Sequence, residues 1–258
     1  LLLATVIAVK LPYFPLALLL LVPCLDGNGL YKERLLAGLR VALLVVAPGI
    51  VWLALAMHFA AIPFPLFPAY HPGYLWPGSH DAVFDAPNSA QQIKVFLHRP
   101  LYPVVLPVKA IGTFWLALRD QMIGRFGWLE FGIPAQMYPF WVFAVACAII
   151  SGFFERSTHP RGPPPMAVIL GLVAVAAALC AIFDAAYLAW APIGVPLIDG
   201  VQGRYLLPLL AAFAAFIPAV RVRGAAKLKT VLAIPSFAMA AAGMVVLPTL
   251  MVSTYYLR

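Results

Sequence analysis

MAVILGLVAVAAALCAIFDAAYLAWA, residues 166–191, carries one charged side chain, Asp184, in 26 positions. A helix rises about 1.5 Å per residue, so a run of this length covers the roughly 30 Å of hydrocarbon in a bilayer. The segment therefore reads as a membrane-spanning helix. Further spans are expected at 39–61, 135–154, 204–220 and 231–253, where the sequence is again almost free of charge.

The whole chain agrees with that reading. Of its 258 residues 64% are hydrophobic and 10% charged, whereas a solvated globular surface needs about a quarter of the residues charged. Short segments alternating apolar and polar residues, the mark of a membrane barrel, are absent. The expected fold class is all-α: a polytopic helical membrane protein, one membrane domain over 1–258, with an extracytoplasmic region of loops and interfacial helices at 62–134. Residues 1–23 are broken by Lys10, Pro12 and Pro15, so they form either one kinked span or two apolar arms meeting at Lys10. Leu1 already lies within an apolar stretch, and the chain reads as the C-terminal portion of a longer one.

Orientation follows from the short basic loops. Lys32, Arg34, Arg40, Arg156, Arg161, Arg221, Arg223, Lys227 and Lys229 fall in 25–40, 155–165 and 221–230, which the positive-inside rule puts on the cytoplasmic side. Residues 62–134 and 192–203 are then outside. This requires 101–118, LYPVVLPVKAIGTFWLAL, to lie along the outer interface. Lys109 at its centre would cost about 2.5–3.5 kcal/mol in a span, and Pro103 and Pro107 weaken it further. Upstream, IPFPLFPAYHPGYLWPGSH (62–80) has too many prolines for a helix and reads as an irregular loop with aromatics at the headgroup layer. In PNSAQQIKVFLHRP, Ser89 and Gln92 have capping-box spacing, Ile93, Phe96 and Leu97 share a face, and Pro100 stops the run, so a short surface helix is expected at 90–98.

The charge of +8 is dispersed over several loops rather than gathered in a stripe, which excludes a nucleic-acid partner from the expectation. Cys24, Cys147 and Cys180 lack metal-ligand spacing and read as small packed side chains.

The chemistry-bearing residues gather near span ends. In DGVQGRYLLPLL (199–210), Arg204 offers a planar bidentate clamp for a phosphate, with Gln202 as an amide donor and Gly203 as a position of close backbone approach. An interfacial arginine reaching to headgroups is the plainer reading. Asp199 pairs with Arg204, binds a cation or solvates the loop. Asp184, deep in a span, marks either a functional group or a buried hydrogen bond. Lys10, with Tyr13, is a second polar point beside a helix break: it neutralises a lipid phosphate or snorkels. Asp81, Asp85, Asp120 and Glu130, with His71, His80 and His98, could supply a base or a metal ligand, but none has diagnostic metal spacing. Nucleotide-binding loops and the GxSxG elbow are absent.

Four stretches, VKLPYFPLALLLLVP (9–23), PNSAQQIKVFLHRPLYP (87–103), GRFGWLEFGIP (124–134) and DGVQGRYLLPLL, together resemble, in order and spacing, the bacterial polytopic membrane proteins designated domain of unknown function 2142. That family is similar to GT-C glycosyltransferases, which transfer a sugar from a polyprenyl-phosphate carrier outside the cytoplasmic membrane. The resemblance implies a multi-pass protein of the bacterial cytoplasmic (inner) membrane, with membrane lipid and a polyprenyl-phosphate sugar donor as partners. It puts Gln202, Arg204 and Tyr205 at the mouth of a lipid-facing cavity, with Lys10 as a further phosphate contact. Trp128 and Gln91 fall on the acceptor side. Glu130 and Asp199 are the catalytic candidates, and a divalent cation is the cofactor the superfamily would allow. The chain departs from the family pattern at Glu130, where an Asp is expected, which lengthens the carboxylate's reach by one methylene. The rival reading is a non-catalytic membrane protein: a transporter of lipid-linked intermediates, or a subunit with a membrane-protein partner.

Overall fold

The computed structural model describes residues 2–26, 29–30, 32–59, 89–126, 131–152, 165–216 and 225–256. The expected loop at 62–80, Trp128 and Glu130 lie outside them. The fold is all-α, as expected. In order come α1 (Leu2–Val9), a 3₁₀ helix (Leu11–Cys24), a hairpin of β1 (Leu25–Asp26) and β2 (Gly29–Leu30), α2 (Lys32–Phe59), α3 (Ser89–His98) and α4 (Tyr102–Ile123). A second hairpin of β3 (Arg125–Phe126) and β4 (Phe131–Gly132) leads to α5 (Met137–Gly152) and α6 (Pro165–Trp190), then to a 3₁₀ turn (Gly203–Leu206), α7 (Leu207–Ala215) and α8 (Ala225–Tyr255). Both hairpins pair antiparallel through two residues per strand.

Three helices, α2, α6 and α8, are by themselves long and apolar enough to cross a membrane. α3 and α4 pass that test only as a pair, bent by 103°. The expected spans at 135–154 and 204–220 appear, among the described residues, as shorter apolar helices. The 16 described residues of α5 cover about 24 Å.

The chain forms two compact units, Leu1–Phe114 with Val173–Val201, and Trp115–Leu172 with Gln202–Arg258. α4 passes from the first to the second where Phe114 (φ −105, ψ 17) interrupts the helix.

In the first unit residues 2–24 take the two-arm form. Lys10 N–H donates to Val6 O at 3.0 Å as the last α-helical bond, and Tyr13 N–H then donates to Lys10 O at 3.1 Å with 3₁₀ spacing. Pro12 and Pro15 have no N–H to continue an α-helix. Both arms pack on α2, and their junction meets Gly49, where a Cβ would stand 3.2 Å from Ile7 O and 3.3 Å from Leu11 Cδ1.

The end of α6 explains α3. Pro192 has no N–H, so Leu188 O loses its helical donor. Ser89 Oγ supplies one at 2.8 Å. The side chain of Gln92, fully buried, takes the carbonyls that follow: its Nε2 donates to Ala191 O at 3.0 Å and Pro192 O at 2.9 Å, with Tyr187 O at 3.3 Å. Its Oε1 accepts the N–H of Gly194 at 3.1 Å, a residue whose φ of 74° favours glycine. Helix α3 forms where the spacing predicted it. The capping box does not, because Ser89 and Gln92 serve the C-terminus of α6 rather than the N-terminus of their own helix. Phe96 stacks on the buried Tyr187 ring at 5.2 Å and completes the joint. Lys109 Nζ, on α4, donates to Pro196 O at 3.0 Å, which gives the ammonium a partner in the segment after α6.

In the second unit, α8 packs on α5, with Ser236 Oγ donating to Ala144 O at 3.0 Å. The rest of α8 presents exposed apolar side chains, Phe237 (76%) and Met244 (79%) among them, as a lipid-facing helix does. Gly203 N–H donates to Gln121 Oε1 of α4 at 2.7 Å. A Cβ on Gly203 would lie 2.0 Å from Leu118 O, so the close approach that this glycine allows is to the backbone of α4.

Gly203→Ala is therefore expected to lower the melting temperature of the purified protein, by an amount equivalent to more than about 2 kcal/mol. Gly112→Ala, within α4 and with nothing within 4 Å of the new methyl, should be neutral or stabilising by up to about 1 kcal/mol. Gln92→Leu, which strands buried carbonyls and an N–H, should cost about 2–4 kcal/mol, and Ser89→Ala about 1 kcal/mol. Equal melting temperatures for the two glycine variants, or for Gln92→Leu and wild type, would contradict these contacts.

Candidate functional site

α4 ends with Arg119 and Asp120 one turn before Gly124, whose N–H donates to Asp120 O at 2.9 Å. The chain then turns through β3 and β4, with Arg125 opposite Gly132, and returns so that Ile133 N–H donates to Gly124 O at 2.9 Å. The hydroxyl of Tyr138, in the first turn of α5, donates to the same carbonyl at 3.4 Å. Both glycines are dictated by space. A Cβ on Gly124 would lie 2.6 Å from the Ile133 side chain, and one on Gly132 2.9 Å from the Tyr138 hydroxyl.

This turn forms one end of a cavity of about 990 Å³. Its polar end carries Arg119, Asp120, Arg125 and Tyr138, and its wall follows α5 through Pro139, Val142, Phe143 and Ala146. The last four are spaced i, i+3, i+4, i+7, which is one face of a helix. Nothing charged follows on α5 as far as Gly152. Arg119 donates through Nε (2.9 Å) and Nη2 (2.7 Å), both to Asp120 Oδ1, leaving Oδ2 outside the pair. Two guanidinium groups against one carboxylate give the polar end a net positive charge. Such a lining suits an anionic head on an apolar tail: planar N–H donors meet phosphate oxygens, while the α5 face accepts hydrocarbon.

Gln202, Arg204 and Tyr205 come together on the 3₁₀ turn. Arg204 Nε donates to Gln202 Oε1 at 2.7 Å, and its guanidinium lies 5.9 Å from the centre of the Tyr205 ring. Arg204 is exposed. The Gly203–Gln121 bond fastens this turn to α4 one residue beyond Asp120. Lys10, Asp199 and Gln91 belong to the other unit: Lys10 is half-buried at the junction of the arms, Asp199 is exposed beside Gly200, and Gln91 is exposed on α3. Asp184 Oδ1 and the Tyr187 hydroxyl, on α6, are buried and have no hydrogen-bond partner among the described residues. Glu130 and Trp128 fall in sequence between β3 and β4, outside the described residues. No group of three or more His, Cys, Asp or Glu able to hold a metal ion occurs among the described residues.

Sequence reasoning singled out Asp120 but missed Arg119, Arg125 and Tyr138. A signal was present: Arg119, Asp120 and Arg125 stand within seven positions, just before the apolar run at 135–154.

Comparison with known proteins gives one family. A family model described as a predicted membrane protein (DUF2142) matches residues 1–213, a stretch that contains the cavity and the 3₁₀ turn and leaves α8 outside. No curated protein and no solved structure gives a significant match.

The packing at the polar end is open to a double-mutant cycle. Gly132→Ala should lower thermal stability, Tyr138→Phe should change it by less than about 1 kcal/mol, and the pair together should recover most of the loss. Additive effects would mean that the hydroxyl and Gly132 are not in contact.

Proposed function

We propose a function from one premise: the chain belongs to the DUF2142 family of predicted membrane proteins. It acts as a GT-C-type glycosyltransferase that takes its sugar from a polyprenyl-phosphate carrier, in the synthesis of cell-envelope polysaccharide or glycolipid. What supports the reading is the amphipathic cavity, with Arg119 and Arg125 at one end and the apolar face of α5 along its wall.

In this reaction the bond between the sugar C1 and the carrier phosphate breaks, a bond from the acceptor oxygen to C1 forms, and the acceptor's proton passes to a carboxylate. Negative charge develops on the phosphate oxygens as the sugar leaves. A fixed guanidinium stabilises that charge more than it stabilises the ground state. In our reading Arg119, oriented by Asp120, and Arg125 hold the phosphate, and the α5 face holds the first isoprene units. Arg204, with Gln202 and Tyr205, guards the mouth on a turn fastened to α4. Glu130, which follows Arg125 in the same hairpin sequence, takes the proton. The protein resides in the bacterial cytoplasmic membrane, oriented as its basic loops direct.

The test uses the full-length protein in lipid nanodiscs, with a radiolabelled polyprenyl phosphate for binding and the sugar-charged lipid for transfer. Arg119→Gln combined with Arg125→Gln should abolish binding. Arg204→Ala should slow transfer about 100-fold, in line with the loss of one transition-state charge partner. Wild-type binding and transfer in both variants would remove the proposal, and movement of the labelled lipid across the bilayer without transfer would favour a transporter.

A further inference from the structure

Lys94 and His98 of α3, and Arg99 just past its end, take no part in that chemistry. On the helix, successive residues are about 100° apart, which divides α3 into three edges. Gln92 and Phe96 face inward and hold the end of α6. Ile93 and Leu97 form an adjoining edge that is apolar and exposed, Leu97 at 75%, and Leu101 (72%) extends it past the helix end. Lys94 and His98 form the next edge, and with Arg99 and Gly194 they border a hollow of about 230 Å³. No acidic side chain lines it among the described residues.

Two of these side chains are held in place. His98 Nδ1–H donates to Lys94 O at 2.7 Å. Arg99 donates to the Tyr102 hydroxyl and stands 4.9 Å from the centre of that ring, which engages one of the five guanidinium N–H groups. The remaining donors and the Lys94 ammonium border one cavity. A cationic edge next to an exposed apolar edge is the pattern of a helix lying in the bilayer interface, apolar side toward the acyl chains and basic side toward the phosphates. The 103° bend between α3 and α4 lets α3 lie along the surface while α4 takes another direction.

We propose that the hollow beside α3 is a binding site for the phosphodiester headgroup of an anionic bilayer phospholipid, held by Lys94 and Arg99, with the acyl chains against Ile93, Leu97 and Leu101. The occupant is a lipid rather than a free anion because the cations border exposed apolar surface that a soluble phosphate would leave uncovered. The site is separate in residues from the carrier cavity and stands without it.

Native mass spectrometry of the purified full chain, titrated with phosphatidylglycerol, reads the site directly. Lys94→Gln with Arg99→Gln should weaken phosphatidylglycerol binding about 30-fold, from about 1 kcal/mol for each interfacial cation. Lys94→Gln alone, which disturbs no packing, should weaken it about fivefold on the same scale. Leu97→Ser should weaken the lipid and leave glycerol phosphate binding unchanged. Lys227→Gln with Lys229→Gln removes the same charge elsewhere and should have no effect. Equal binding of phosphatidylcholine, an equal loss in the Lys227/Lys229 variant, or glycerol phosphate binding as tight as the lipid's would each overturn the proposal. Variants of Arg119 and Arg125 should leave this binding intact, so failure of the carrier site and failure of this one are distinguishable.

Discussion

A backbone carbonyl that loses its helical donor near hydrocarbon must find another, because no water replaces it cheaply. Pro192 creates that debt at the end of α6, and α3 settles it with Ser89 and Gln92. The consequence reaches beyond one cap. Since the donors sit on a separate helix, satisfying α6 also positions α3, aligns Phe96 on Tyr187 and fixes the Gly194 turn. A polar requirement of a few atoms thus organises apolar packing around it.

The second unit meets the same constraint in its own way. α4 ends at Gly124, whose carbonyl is taken by the Ile133 N–H and the Tyr138 hydroxyl, and Gln121 receives the Gly203 N–H. Both links carry a charged or aromatic residue next to them in sequence: Asp120 beside Gln121, Arg125 beside Gly124, and Arg204 beside Gly203. The side chains that bear chemistry are held by bonds the backbone requires anyway, so the polar end of the cavity needs little additional ordering.

Hydropathy made α2, α6 and α8 legible, and Ser89 with Pro100 bounded α3 to within a residue. The partner of Gln92 was not legible, because the carbonyls it meets lie about 100 residues away and no local spacing encodes them. Gly203 was recognisable as a place of close approach, but what approaches is Leu118 of α4, again remote in sequence. In the sequence Asp120 stood out only as one outer carboxylate among several, and Arg119 did not stand out at all. Only the return of the chain through β3 and β4 brings Arg125 and the α5 face to the same cavity. α7 stops at Ala215, inside the apolar run at 204–220, since hydropathy reports where a helix is tolerated and not where its hydrogen bonds stop.

The pairing of Arg119 with Asp120 bears on how a cation can wait in a site of this kind. The pair is only partly shielded from water, so the neighbouring carboxylate chiefly fixes where the guanidinium points. Here both bonds fall on one oxygen, Oδ1, so the pair is fixed in direction without exhausting the donors of the guanidinium. Arg125 then carries the uncompensated charge. At the proposed carrier site a phosphate would meet one cation already oriented and a second whose charge is still to be neutralised. In that proposed division of labour Asp120 orients Arg119, and the net positive charge favours the anion.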